Sequence, residues 1–110
     1  MSVPISDVIS RYLQADIERD VEAMVGCFTE DAVVVDKGRT WHGRAGVRDW
    51  RASATAAYEY TVEVRGTEAA GPDNYLVEAH LEGDFPGSPA DLRFAFRLRG
   101  DLIDRLEIAP

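Results

Sequence analysis

Phe28-Thr29-Glu30-Asp31-Ala32-Val33-Val34-Val35-Asp36 is the stretch that decides the fold. Residues 33 to 35 are continuously apolar, so Ala32 to Asp36 reads as a strand. A carboxylate at the end of such a strand can be aimed into the fold, which makes Asp36 the first candidate for chemistry. Lys37-Gly38-Arg39 then reads as a turn.

Upstream of this stretch, Ile5, Val8, Ile9, Tyr12, Leu13 and Ile17 follow the three-four spacing of a helix buried on one side. Asp16, Glu18 and Arg19 fall mostly off that stripe. Asp20 is placed to cap a second helix, whose buried face is Val21, Met24, Val25 and Phe28. Cys27 sits on that face as the one cysteine of the chain. It reads as a small buried residue rather than a nucleophile, and one thiol forms neither an internal disulfide nor a thiolate metal cluster.

Downstream, Gly43-Arg44-Ala45-Gly46 opens a third, shorter helix with Val47, Trp50 and Ala54 on one face. A lone GxxG with no P-loop lysine after it is a turn into a helix, not a phosphate loop. From Tyr58 the period changes to two. Tyr60, Val62 and Val64 alternate with polar residues, and so do Val77, Ala79 and Leu81, then Leu92, Phe94, Phe96 and Leu98. Gly71-Pro72-Asp73-Asn74, Gly83 to Pro89 and Gly100-Asp101 supply the turns, and Leu102 to Ile108 is the closing strand. Helices first and an antiparallel meander after them define an α+β fold. A curved sheet wrapped around these helices would enclose a pocket lined by the inward faces.

The length of 110 residues fits one domain, 1–110. Its 45% apolar content is that of a globular protein. Twelve basic against twenty acidic residues give a net charge of −8, which repels phosphate backbones and anionic lipid. Nucleic acid and membrane are therefore not expected as partners. No apolar run approaches membrane-span length, and the first residues lack the pattern of a secretory signal, so the cytoplasm is the expected location.

These residues resemble the nuclear transport factor 2-like superfamily, in particular its SnoaL-like and ketosteroid-isomerase-like members. The resemblance is carried by Arg11-Tyr12-Leu13, Asp20, Phe28-Thr29-Glu30-Asp31-Ala32, Asp36, Gly43, Phe94-x-Phe96 and Gly100-Asp101-x-Ile103. It implies a cone, three N-terminal helices packed on a strongly bent, mostly antiparallel sheet, with small-molecule binding in its apolar interior and no cofactor. It also implies acid/base chemistry on a carbonyl compound, of isomerase or cyclase type. In ketosteroid isomerases a general-base aspartate works with a tyrosine and a protonated second aspartate. Laid over that pattern, Asp36 falls on the base and Tyr12 on the donor. Leu92 falls where the second acid stands, and strand alternation turns Asp91 to the other face. Trp41, Trp50, Leu92, Phe94 and Phe96 would form the wall against a small hydrophobic substrate. The resemblance further implies a homodimer through the outer sheet face.

Each candidate also has a plainer reading. Asp36 could bond the turn amides after Lys37. Tyr12 could be a core tyrosine, and His42 a surface residue. His80 lies between Glu78 and Glu82 on the outer face, opposite Arg93 and Arg97. Alternate residues on one strand are weakly preorganised metal ligands, so no metal is expected there. Arg105 is open: alternation with Leu106 and Ile108 turns it outward, while the family register could turn it inward. At the level of function the alternative is a non-catalytic ligand-binding or dimerisation module of the same fold.

Overall fold

The computed structural model describes residues 7–55, 60–84 and 86–110. Ile5, Tyr58 and the side chain of Ala54, all assigned from the sequence pattern, lie outside the described residues. Helices α1 (Asp7–Glu18) and α2 (Val21–Val25) come first, followed by strands β1 (Phe28–Asp36) and β2 (Arg39–His42) and helix α3 (Gly43–Thr55), which at 13 residues is not the shorter helix expected from its pattern. Strands β3 (Tyr60–Ala69), β4 (Asn74–Gly83), β5 (Ala90–Arg99) and β6 (Leu102–Ala109) complete the order. The fold is α+β, as expected: three helices packed on one curled sheet of order β2-β1-β6-β5-β4-β3 that does not close into a barrel. β1 and β6 run parallel and the other neighbours antiparallel.

The bend has local causes. Register shifts fall between Val64 and Gly66, between Arg97 and Leu98, and between Phe28 and Val33. An extra residue in one strand of a pair bends that strand and increases its twist. The resulting concave face buries Val77, Ala79, Leu81, Phe94, Phe96, Ile103 and Leu106 against Val8, Ile9, Tyr12 and Leu13 of α1 and Val47 and Trp50 of α3.

Three assignments from periodicity change. One is Val64, expected on the inward face of β3 but 38% exposed where the register shifts towards Gly66. Another is Phe28, expected on the second helix, which is buried but opens β1 instead. α2 is only five residues long and stops before Gly26, with Asp20 capping its other end through Ala23 N at 3.1 Å. The Ile103 amide donates to the Cys27 carbonyl at 2.8 Å, which draws the chain into the sheet beside β6 from that point. Cys27 itself is buried, as expected.

The third is Ile17, expected on the buried stripe of α1, which is 50% exposed, whereas Asp16 is 4% exposed. Residues four apart on a helix drift about 40° around the axis with each step. The sequence of steps from Ile9 through Leu13 to Ile17 therefore rotates out of the core. The set Ile9, Tyr12, Asp16 stays in it and carries a carboxylate to the interior.

β1 reads as the alternation requires. Ala32 and Val34 are fully buried, and Asp36, two residues on, continues the same face. The β1–β2 hairpin turns on Lys37 and Gly38, with φ of 54° and 75° and Asp36 paired to Arg39. Positive φ at both central residues is the type I′ turn that matches strand twist. Arg105 stays on the side opposite Leu106, half-buried and away from the cavity described next.

Candidate functional site

The concave face and the helices enclose a cavity of about 390 Å³. Its walls are apolar: Leu81, Ala90, Leu92, Phe94 and Ile108 come from the sheet. Its polar lining is Tyr12 and Asp16 from α1, Asp36 from the end of β1, Trp50 and Arg51 from α3, and Tyr60 from the start of β3. Lys37, Pro86 and Gly87 are the exposed members of the lining and form the rim.

Asp36 and Tyr12 therefore line one cavity. Asp36 is half-buried, and its Oδ2 accepts from the Trp50 indole Nε1 at 3.0 Å. That is the hydrogen bond found for Asp36 among the described residues, so the turn amides do not hold it and Oδ1 is left for a ligand. Tyr12 is 1% exposed. Phe28 and Phe96 clamp its ring edge-on, with centroids at 5.9 and 5.4 Å. Its hydroxyl has no hydrogen-bond partner among the described residues, yet it is not sealed off from the cavity. Burial, and then the charge of Asp16, hold the Tyr12 hydroxyl well above the usual tyrosine range. At neutral pH it is a proton-bearing donor.

Trp50, Leu92 and Phe94 also stand on the cavity. Trp41 and Phe96 do not. Trp41 packs against the core with the Arg39 guanidinium 4.1 Å over its ring. Phe96 stacks behind Phe94, centroids 6.3 Å apart, one layer back from the wall. Asp91, beside Leu92, turns outward and bonds His80.

Three polar residues of the lining are not among the candidate site residues of the sequence: Asp16, Arg51 and Tyr60, the last placed only on an inward strand face. Arg51 Nη2 and the Tyr60 hydroxyl both donate to Asp16 Oδ1, the latter at 2.7 Å, and Arg51 also reaches the Tyr60 oxygen at 3.1 Å. The Arg51 guanidinium lies 5.0 Å from the Trp50 ring. Burial opposes the charge on Arg51, but Asp16, Tyr12 and Tyr60 outweigh it and raise its pKa. Burial, then Asp16, push the Tyr60 hydroxyl up to about 12. Asp16 is thus engaged in a buried ion pair, while Asp36 is the carboxylate with a free oxygen. The available signals were Asp16 seven residues after Ile9 and Arg51 four after Val47, both at inward helical spacing.

On the outer face His80 places Nδ1 2.7 Å from Asp91 Oδ1 and Nε2 3.0 Å from Glu82 Oε1. Only the protonated ring donates to both. Glu82 first, then Asp91, raise its pKa above the ordinary 6.5. A raised folded-state pKa adds stability that is complete below the unfolded value and is lost as pH rises through the folded one. His80→Gln should therefore lower the melting temperature near pH 5.5, with little effect near pH 9. An equal loss at both pH values in thermal melts would show that His80 contributes packing rather than charge.

The chain belongs to the SnoaL-like family: the family model for the SnoaL-like domain matches residues 9–106. Among curated proteins no sequence matches it. Among solved structures it is similar to a candidate polyketide cyclase from Sinorhizobium meliloti, at 35% identity and a TM-score of 0.89 over 96% of this chain and 95% of that one. It also shares its fold with a hypothetical protein with a ketosteroid isomerase-like fold from Catenulispora acidiphila, in complex with trimethylamine. That similarity is 23% identity and a TM-score of 0.83 over 97% of this chain and 87% of that one. A third similar fold is an epoxide hydrolase/cyclase-like enzyme of pyran ring formation in salinomycin. It is 24% identical, with a TM-score of 0.76 over 93% of this chain and 86% of that one. No helix among the described residues is long and apolar enough to cross a membrane.

Proposed function

We propose that the cavity binds a small hydrophobic carbonyl compound and that the chain catalyses cofactor-free proton transfer on it, of isomerase or cyclase type. The observation that carries this reading is the meeting of an unpartnered donor and an available carboxylate oxygen on one apolar cavity, Tyr12 and Asp36. The 35% identity to a candidate polyketide cyclase over nearly the whole of both chains supports it.

In the proposed step Asp36 Oδ1 takes a proton from the carbon next to the carbonyl. The C–H electron pair forms the C=C bond of an enolate and the carbonyl π pair moves to oxygen, where the Tyr12 hydroxyl donates. Trp50 holds the second carboxylate oxygen and so fixes the angle of attack. Isomerisation follows if the protonated Asp36 returns its proton to another carbon of the conjugated system. Ring closure follows if the enolate carbon attacks a second carbonyl in the same molecule, the π pair of that carbonyl moves to its oxygen, and the new alkoxide takes the proton held by Asp36, which restores the carboxylate. In the register that the resemblance implies, Leu92 takes the place of a ketosteroid isomerase's second acid, so the enolate has one fewer side-chain donor in this reading. Steroid isomerisation should accordingly be slow. The reading is tested with bicyclic aryl ketones such as 1-tetralone in D₂O, followed by NMR. Catalysed exchange of the hydrogens next to the carbonyl supports it, and exchange no faster than buffer across the panel removes it in favour of a non-catalytic binding module.

The same reading includes a homodimer through the outer sheet face. Glu78 stands opposite Arg93 in register and His80 opposite Asp91, while Arg97, expected to face His80 and its neighbours, pairs with Asp104 and Arg99 with Asp31; such mixed charge can be self-complementary about a two-fold axis. Light scattering at micromolar concentration should give twice the 12.2 kDa mass of one chain. A monomeric mass, or a dimer that survives Arg93→Glu unchanged, would count against this face.

A further inference from the structure

Among the described residues the rim of the cavity carries one charged side chain, and it is Lys37, the only lysine of the 110-residue chain. We propose that Lys37 is a specificity-determining anchor for a carboxylate, so that the compound taken by this cavity carries its carbonyl at the inner end and an anionic group at the mouth. This rests on the reading of the cavity as a carbonyl-compound site.

Four observations converge on it. The turn does not call for a lysine: the first central position of a type I′ turn favours Asn, Asp or Gly, and a longer side chain at φ 54° is strained. Nor is the ammonium spent elsewhere, since Lys37 makes no ion pair within 4 Å among the described residues. Both acids of the lining lie deeper and have other partners, Asp36 with Trp50 and Asp16 with Arg51 and Tyr60. Finally, a chain of net charge −8 repels anions as a whole, so an anionic ligand needs a local cation at the point of entry. Arg39, across the turn, does not take this place, because its guanidinium lies over Trp41.

The polarity of the cavity then describes its ligand. The inner end offers the Tyr12 hydroxyl to an uncharged oxygen, the middle is apolar, and the mouth offers a cation. A neutral hydrophobic ketone would satisfy the first two and leave the third idle.

The test uses a matched pair of probes, 2-naphthylacetate and its methyl ester, titrated calorimetrically into the whole chain. The wild type should bind the acid roughly fivefold more tightly than the ester, the upper range for an exposed ion pair. Lys37→Asn should abolish that preference by weakening the acid alone, and Lys37→Arg should retain it. Asn suits the turn, so the melting temperature of Lys37→Asn should be unchanged or raised, which separates loss of charge from loss of fold. An acid no tighter than the ester in the wild type, or a preference that persists in Lys37→Asn, overturns the role of Lys37 while ester binding leaves the cavity reading intact. Failure of both probes to bind overturns the cavity reading and Lys37 with it.

Discussion

Asp36→Asn should lower the rate of ketone hydrogen exchange by about 10²- to 10⁴-fold, the usual contribution of a positioned general base. The dissociation constant for the same ketone should stay within about threefold, because the amide keeps the shape of the carboxyl and loses only its ability to accept a proton. Asn can still accept from the Trp50 indole through its carbonyl oxygen, so the hydrogen bond now at 3.0 Å has a replacement and folding should be retained. Tyr12→Phe is the matched comparison. Loss of one donor to a developing oxyanion costs about 3 kcal/mol, roughly 10²-fold in rate, with the ring packing between Phe28 and Phe96 preserved. The two variants together discriminate. A base and a donor both reduce turnover with little change in binding. Asp36→Asn with undiminished exchange removes the base assignment, whatever Tyr12→Phe does.

Asp16→Ala should destabilise the fold by about 3–5 kcal/mol, since removing one partner leaves the buried Arg51 guanidinium uncompensated. For a domain of this size that corresponds to a fall in melting temperature of roughly 15 °C or more. Tyr60 would lose its acceptor in the same step. The double variant Asp16→Leu/Arg51→Leu should recover most of the loss, because burying two apolar side chains avoids the desolvation of two charges. Urea denaturation of the single and double variants measures both quantities. A loss below about 1 kcal/mol in Asp16→Ala would mean that the pair is screened by water that reaches it through the cavity.

These two residues also mark how far the sequence could be read. Asp36 was legible because a carboxylate directly after the apolar run Val33-Val34-Val35 ends a strand, and the structure's alternation of Ala32, Val34 and Asp36 on one face is what aims it inward. Leu92, Phe94 and Trp50 followed from the periodicity of their own elements. Asp16 was assigned off the buried stripe because the apolar residue next to it, Ile17, completed an apparent run of four-residue steps. Hydrophobicity is a poor guide there. The cost of burying Asp16 is offset by a guanidinium 35 residues away, which no count along one helix reveals. Trp41 and Phe96 illustrate the opposite effect. Their composition suggested a wall, yet one is drawn under Arg39 at the sheet edge and the other is covered by Phe94.

What the amino-acid sequence determined by itself is the set of elements and the face each one buries, because periodicity and capping are properties of one segment at a time. The α+β class, the place of Asp36 at the end of a strand and the cap at Asp20 belong to that set. Only the tertiary structure decided which inward polar groups meet. Trp50 reaches Asp36 across 14 residues, and Tyr60 reaches Asp16 across 44. Those pairings depend on the bend of the sheet and on where α1 and α3 lie across it. They leave Asp16 bound to Arg51 and Tyr60 while Asp36 keeps an oxygen facing the cavity. The physical reason is that a carboxylate's chemistry depends on its partners, and partners are set by the relative placement of elements, which local pattern does not encode.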